Sequence, residues 1–138
     1  FFLPQRPYCT LGTLRDQLTY PTPSGSITGP EADDLDGKLL EILRTVKLGK
    51  LASKWSEGAD ESEGLGAVQD WSSILSLGEQ QRLAFGRLLF NAPAIAVMDE
   101  ATSALDIDSE RAMYEAIQES GLAYISVGHR PSLAQYHD

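Results

Sequence analysis

The sequence predicts an α/β fold on a parallel sheet, and three stretches carry that prediction. Ile95-Ala96-Val97-Met98 is an unbroken apolar run ending abruptly in Asp99-Glu100. Lacking period-two alternation, it suits a strand buried on both faces of a parallel sheet. Ala123-Tyr124-Ile125-Ser126-Val127 reads as a second buried strand, with a helical pattern between the two. Strand, helix, strand in that order is a parallel crossover. Phe1-Phe2-Leu3 reads as the end of a third strand, stopped by Pro4, which brings no ladder donor. Ligands of open α/β sheets collect outside the carboxyl ends of the strands, so Asp99, Glu100 and His129 are expected on one edge. Two adjacent acids leaving a core strand point to a cation, a polarised water, or both. The same pair, taken alone, can simply open a loop or cap a helix.

The remaining elements follow in order. Thr10 is placed to cap a short helix over residues 11–18, and Pro21, Pro23, Ser24 and Gly25 then break the chain. From Asp34 or Asp36, the apolar residues Leu39, Leu40, Leu43 and Val46 fall at helical spacing, with Gly49 as the stop. Residues 56–66 are acidic, Gly-rich and poor in apolar side chains, which predicts an exposed, mobile loop. Trp71 ends it as a packing anchor. Residues 79–90 form a helix with Leu83, Ala84, Leu88 and Leu89 on one face and Glu79, Gln80, Arg82 and Arg87 on the other. Asn91-Ala92-Pro93 breaks it. Asp106 or Asp108 then caps a helix through Ser120, with Ala112, Met113, Ala116 and Ile117 inward and Gly121 as its stop.

The bulk numbers bound the answer. A chain of 138 residues with 42% hydrophobic content supports one modest core. Net charge −9 with only 11 Lys and Arg argues against a nucleic-acid partner. The single Cys9 excludes an internal disulfide. No stretch approaches the roughly 20 apolar residues of a membrane-spanning helix, so no direct membrane insertion by this segment is expected. The opening in mid-strand, without Met, leads to the expectation that the chain is part of a longer protein.

Four motifs stand in a telling order: Leu3-Pro4-Gln5-Arg6-Pro7, Leu75-Ser76-Leu77-Gly78-Glu79-Gln80-Gln81-Arg82, the acidic strand end with Ala101-Thr102-Ser103-Ala104-Leu105-Asp106 behind it, and Ser126-Val127-Gly128-His129-Arg130. In order and spacing they resemble the nucleotide-binding domain of ATP-binding cassette (ABC) transporters, almost from end to end. Phe2 to Tyr8, Gly12-Thr13-Leu14-Arg15-Asp16-Gln17, Trp71 and Ile125 to Arg130 narrow the resemblance to the subfamily D half-transporters of peroxisomes and lysosomes, with bacterial permease-ATPase fusions and plant plastid relatives. The resemblance implies a partial RecA-like parallel-sheet core with an α-helical subdomain, a P-loop NTPase of ABC type. Residues of about 10–92 would form the helical subdomain, and 1–9 with 93–138 the RecA-like part. The Gly-x-x-x-x-Gly-Lys-Ser/Thr phosphate loop of that family does not occur in this sequence. The fragment alone is therefore expected to be inactive.

The resemblance also implies roles. Asp99, the Walker B carboxylate, would stand on the Mg2+ side, and Glu100 would polarise the attacking water. Gln5 would ligate Mg2+ or accept from water, and His129 would donate to the γ-phosphate of ATP. A lone histidine behind a strand is more often an ordinary surface or loop residue, and it is the distance of His129 behind Glu100 that favours the functional role. Ser76, Leu77, Gly78 and Glu79 resemble the ABC signature, usually Leu-Ser-Gly-Gly-Gln, and depart from it at Leu77 and Glu79. A serine hydroxyl and free amides at a helix start attract anions, yet Ser76 with Glu79 also reads as a plain capping box. Ser103 and Asp106 resemble the D-loop, with a helix cap as the alternative. The implied function is ATP binding and hydrolysis driving transmembrane transport. The implied partners are a second nucleotide-binding domain and transmembrane domains, on the cytosolic or stromal face of a plastid, peroxisomal, lysosomal or bacterial inner membrane. A soluble, non-transport ABC ATPase and a non-enzymatic binding fragment are the alternatives.

Overall fold

The computed structural model describes residues 1–137. Its sheet is three-stranded and parallel, in the order β1 (Phe2–Leu3), β2 (Ile95–Asp99), β3 (Ala123–Val127). Leu3 stands level with Met98, and Asp99 level with Val127. All three strands therefore deliver their following residues to one edge.

The crossover between β2 and β3 is α7 (Ile107–Ser120). The Asp106 carboxylate accepts from the Ser109 amide at 3.0 Å and caps its start, and Gly121 ends it in the left-handed conformation at φ 76°. Its buried stripe is Glu110, Met113, Tyr114 and Ile117. Ala112 and Ala116, expected inward, are only half-buried. The stripe is rotated because Tyr114 stacks on Tyr136 with ring centroids 4.8 Å apart and also approaches Phe85 at 6.3 Å.

Neither β2 nor β3 is buried on both faces, which corrects the expectation from their apolar runs. Leu3, Ala96 and Met98 join the core. Phe2, Ile95, Val97, Ile125 and Val127, on the other face, are exposed, with Val127 at 54%. A continuous apolar run states what a strand can bury, while coverage depends on which elements pack against each face. Among the described residues only one face is covered.

Between β1 and β2 the chain is helices joined by turns and loops, with one isolated antiparallel bridge between Thr13 and Val68. Thr13, not Thr10, caps the first helix, α1 (Leu14–Thr19). The reason is Asp16: its carboxylate accepts from the Thr13 amide at 3.0 Å while the Thr13 hydroxyl accepts from the Asp16 amide, a reciprocal box that position 10 cannot form. Two short 3-10 turns follow, then α2 (Leu35–Thr45) and α3 (Gly49–Lys54). Gly49 starts a helix instead of stopping one. The chain reverses before it, at Lys47 with φ 62°. Part of the expected mobile loop is α4 (Ser62–Leu65), in which Gly64 and Leu65 are buried.

Trp71 opens α5 (Trp71–Ile74), almost fully buried, its indole N–H donating to the Gly12 carbonyl at 3.0 Å. Here the packing-anchor expectation holds. The central helix is α6 (Leu77–Asn91). Arg87, assigned by periodicity to its outer face, is buried. Its guanidinium donates to the carbonyls of Gln17 at 2.8 Å and Tyr8 at 2.9 Å and lies over the Tyr20 ring, partners that satisfy the charge inside.

Asp16 supplies a pH test of the α1 region. Burial alone would raise its pKa, but hydrogen bonds from the amides and hydroxyls of Ser24 and Thr13 outweigh that and bring it down to about 2. A depressed carboxyl stabilises the fold above its unfolded pKa and loses that contribution as pH falls through the folded value. Asp16→Asn should therefore cost on the order of 1 kcal/mol near neutrality, after allowance for solvent screening, and only a small fraction of that by about pH 2. Denaturant titrations at both pH values check this. An equal deficit at the two would mean the loss is shape and not charge.

Candidate functional site

Asp99 is the last residue of β2, and the chain turns sharply behind it. Glu100 takes φ 50°, a left-handed conformation costing a non-glycine residue about 1–2 kcal/mol. Two backbone bonds hold the turn: the Glu100 amide donates to the Val127 carbonyl at 2.8 Å, and the Ser103 amide to the Glu100 carbonyl at 3.1 Å. The bend aims Glu100 at the end of β3, where its Oε1 lies 2.5 Å from Nε2 of His129. The imidazole is mostly exposed and the carboxylate mostly covered. With Thr102, Ser103, Glu110, Gly128, Arg130 and Leu133 the pair lines a cavity of about 200 Å³.

Gln5 follows β1 by two residues on the same sheet edge, its side chain exposed. Its carbonyl, not its amide group, is engaged, accepting from Nε2 of Gln81 at 2.8 Å. Asp99 is exposed, and no hydrogen bond or ion pair engages its carboxylate among the described residues. Those residues contain no ready-made cluster of three or more His, Cys, Asp or Glu for a metal. One free carboxylate beside a glutamine does suit Mg2+, which keeps most of its ligands as water and substrate phosphate.

Ser76 begins α6. Its hydroxyl accepts from the Glu79 amide at 3.1 Å, and its amide donates to the Glu79 carboxylate at 3.0 Å. The capping box is thus formed, and it occupies Glu79. The Gln80 amide bonds the Ser76 carbonyl. Of the first-turn donors, the amides of Leu77 and Gly78 remain, at the positive end of the helix dipole. Leu77 needs no positive φ, so its side chain leaves that donor usable. A Cβ on Gly78 would stand 3.1 Å from the Ala104 carbonyl oxygen, tighter than ordinary contact. The helix start therefore abuts loop 101–106, with Gly78 against Ala104 and Leu105.

The loop is held from two sides by residues to which the sequence assigned no role. Arg130 donates to the carbonyls of Leu105 at 2.5 Å and Ser103 at 2.9 Å, and to the buried Glu110 carboxylate at 3.3 Å. Glu110 also accepts from Thr102 and Ser132. From the other side, buried Gln81 bonds Ser103 and Ala104. Gln81 had a legible signal, since it shares the buried face of α6 with Ala84, Phe85 and Leu88. Glu110 had none, because a helix-start acid usually faces solvent. Asp106 is fully exposed, and hydrogen bonds from Ser109 hold its carboxyl below the usual range, so the cap is real whatever else the residue does.

No family model matches the chain. It is 44% identical over 156 residues to the ABC transporter D family member 2, chloroplastic, of Arabidopsis thaliana, covering 99% of this chain and 21% of that protein. It is 50% identical over 136 residues to an uncharacterized ABC transporter ATP-binding protein of Synechocystis sp., covering 99% of this chain and 18% of that one. The chain thus spans about a fifth of the length of these relatives. A bacterial Atm1-family ABC exporter with ATP bound matches in structure at a TM-score of 0.69 and 22% identity, over 95% of this chain and 21% of that one, which establishes the shared fold.

Proposed function

Since this chain is homologous along 99% of its length to one segment of ABC transporters, including a D-family member, we propose that it supplies the hydrolytic carboxylates and the partner-facing signature of an ABC-type ATPase that drives transport. The observation that carries the reading is the Glu100 and His129 pair, 2.5 Å apart at the carboxyl end of parallel strands. Glu100 is held where a base can take a proton from water, and the His129 N–H gives that base its orientation. A histidine paired this way can exchange its carboxylate for a phosphate oxygen when nucleotide arrives. Asp99 and Gln5 would hold Mg2+, which supplies charge neutralisation for the transferring phosphoryl group. Ser76 and the amides of Leu77 and Gly78 would meet the ATP held by a second nucleotide-binding domain, and Ser103 and Asp106 would stand at that same junction. The transmembrane domains are a further partner in this reading, and the membrane is one bounding a plastid, peroxisome, lysosome or bacterial cytoplasm.

The test separates a signature acting across a dimer from a plain helix cap. Pair a subunit of the complete protein carrying Ser76→Arg with one carrying a disabled phosphate loop. If Ser76 acts in trans, both lesions fall on one composite site, and the mixed dimer retains roughly half the ATPase rate, about one factor of two in turnover. With both lesions in one subunit, each site inherits a defect and activity falls to background. Equal activity well above background in the two arrangements would leave only the cap, worth about 0.5–2 kcal/mol of stability.

A further inference from the structure

Gln81 sits at the meeting of three segments, and each of its amide atoms has a partner of fixed chemistry. Nε2 donates to the Gln5 carbonyl at 2.8 Å and to the Ser103 hydroxyl oxygen at 3.0 Å, while Oε1 accepts from the Ala104 amide at 2.9 Å. A carbonyl can only accept and a backbone N–H can only donate, so the orientation of the amide is dictated by its partners. The side chain is fully buried. Because the amide itself is buried, breaking one of these bonds would leave one of its own polar atoms unpaired, and among the described residues no other side chain bonds both loops. Helix α6, which carries Gln81, is capped by Ser76, and its Gly78 abuts the Ala104 carbonyl. Arg130 holds the same loop on the carbonyls of Ser103 and Leu105 but makes no bond to Gln5. The link from loop 101–106 to Gln5 therefore runs through Gln81.

We propose that Gln81 is a positioning residue that couples the backbone at Gln5 to loop 101–106, so that a movement of either loop is felt by the other through one buried amide. The kinetic arm of its test rests on the ATPase reading above; a second arm does not. The mechanical argument is short. An amide bonded on both edges cannot follow one loop without breaking or dragging the bond to the other. In a buried setting, breaking a bond leaves a polar group unsatisfied, so dragging is favoured. Gln81 touches no reacting atom in this scheme. Its effect is on where Gln5 and Ser103 stand relative to Glu100, whose carbonyl also receives the Ser103 amide.

The experiment uses the complete protein with Gln81→Leu, which removes every bond, and with Gln81→Asn, which keeps the chemistry but is one methylene too short to span. In both, the kcat of ATP hydrolysis should fall at least about tenfold while the KM for ATP stays within about threefold. Hydrogen exchange should rise together in peptides covering residues 4–8 and 101–106, with α7 still protected. Either variant that folds suffices. A kcat within about threefold of wild type, despite opened loops, would overturn the proposal. So would a joint collapse of kcat, KM and melting temperature, which would mark a merely structural residue. If the wild-type protein hydrolyses no ATP, the ATPase reading fails, and the exchange arm decides alone: a rise confined to one of the two segments overturns the coupling, and a joint rise upholds it.

Discussion

Replacing Glu100 with glutamine should nearly abolish ATP turnover in the complete protein while leaving nucleotide binding in place. The amide has the shape of the carboxylate, and its oxygen can still accept from the His129 N–H, so the 2.5 Å pair and the left-handed turn at φ 50° should survive. What it cannot do is accept a proton from the attacking water. General bases contribute about 10²–10⁴ in rate, so a loss of at least about a hundredfold, or about 2.7 kcal/mol, is expected. Closed, ATP-bound dimers should accumulate because the step that releases them is blocked. The measurement is steady-state phosphate release beside equilibrium nucleotide binding. Turnover within about tenfold of wild type, a cost of only about 1.4 kcal/mol, would remove Glu100 from the role of base. Weak binding with a lowered melting temperature would instead make it a residue that shapes the turn.

Gly64→Ala should be the most damaging small substitution in the helical region. A Cβ at Gly64 would overlap the Ala52 carbonyl oxygen and stand 2.6 Å from the carbonyl carbon. The obstacle is the backbone of α3, which cannot rotate away as a side-chain tip would. Helix propensity favours alanine by about 1 kcal/mol, but separating two packed segments costs more. A net destabilisation of about 3 kcal/mol is expected, a fall of roughly 10 °C in melting temperature for a domain of this size. Gly58→Ala is the control, because nothing lies within 4 Å of a Cβ there. Its effect should stay within about 0.5 kcal/mol. Equal melting shifts in the two variants would show that the close approach of α3 and α4 carries no stability.

The glycine of residue 64 also shows where sequence reading stops. An acidic, Gly-rich stretch with few apolar residues describes a solvated loop by composition, and most of residues 56–66 fit that. Gly64 and Leu65 do not, because a missing side chain can serve flexibility or close packing, and composition is blind to the difference. Arg87 is the same problem with charge. Its helical phase was legible, but the carbonyls of Tyr8 and Gln17 that make its burial tolerable come from segments far away in the chain.

By itself, the sequence determined the order of strand, helix and strand, the cap at Ser76, a helix start at Asp106 or Asp108, the stop at Gly121, and the placing of Asp99, Glu100 and His129 at one edge. These are local or periodic facts: a cap needs a neighbour three residues on, and parallel strands joined by a helix must emerge on the same side. Tertiary structure alone decided that Glu100 turns to meet His129 across two strands. It alone decided that one sheet face is exposed, that Gly49 opens a helix, and that Gln81, Glu110 and Arg130 hold loop 101–106. Each of those depends on the partner a group finds at long range, and the burial of a polar side chain is tolerable only where that partner stands within hydrogen-bonding distance.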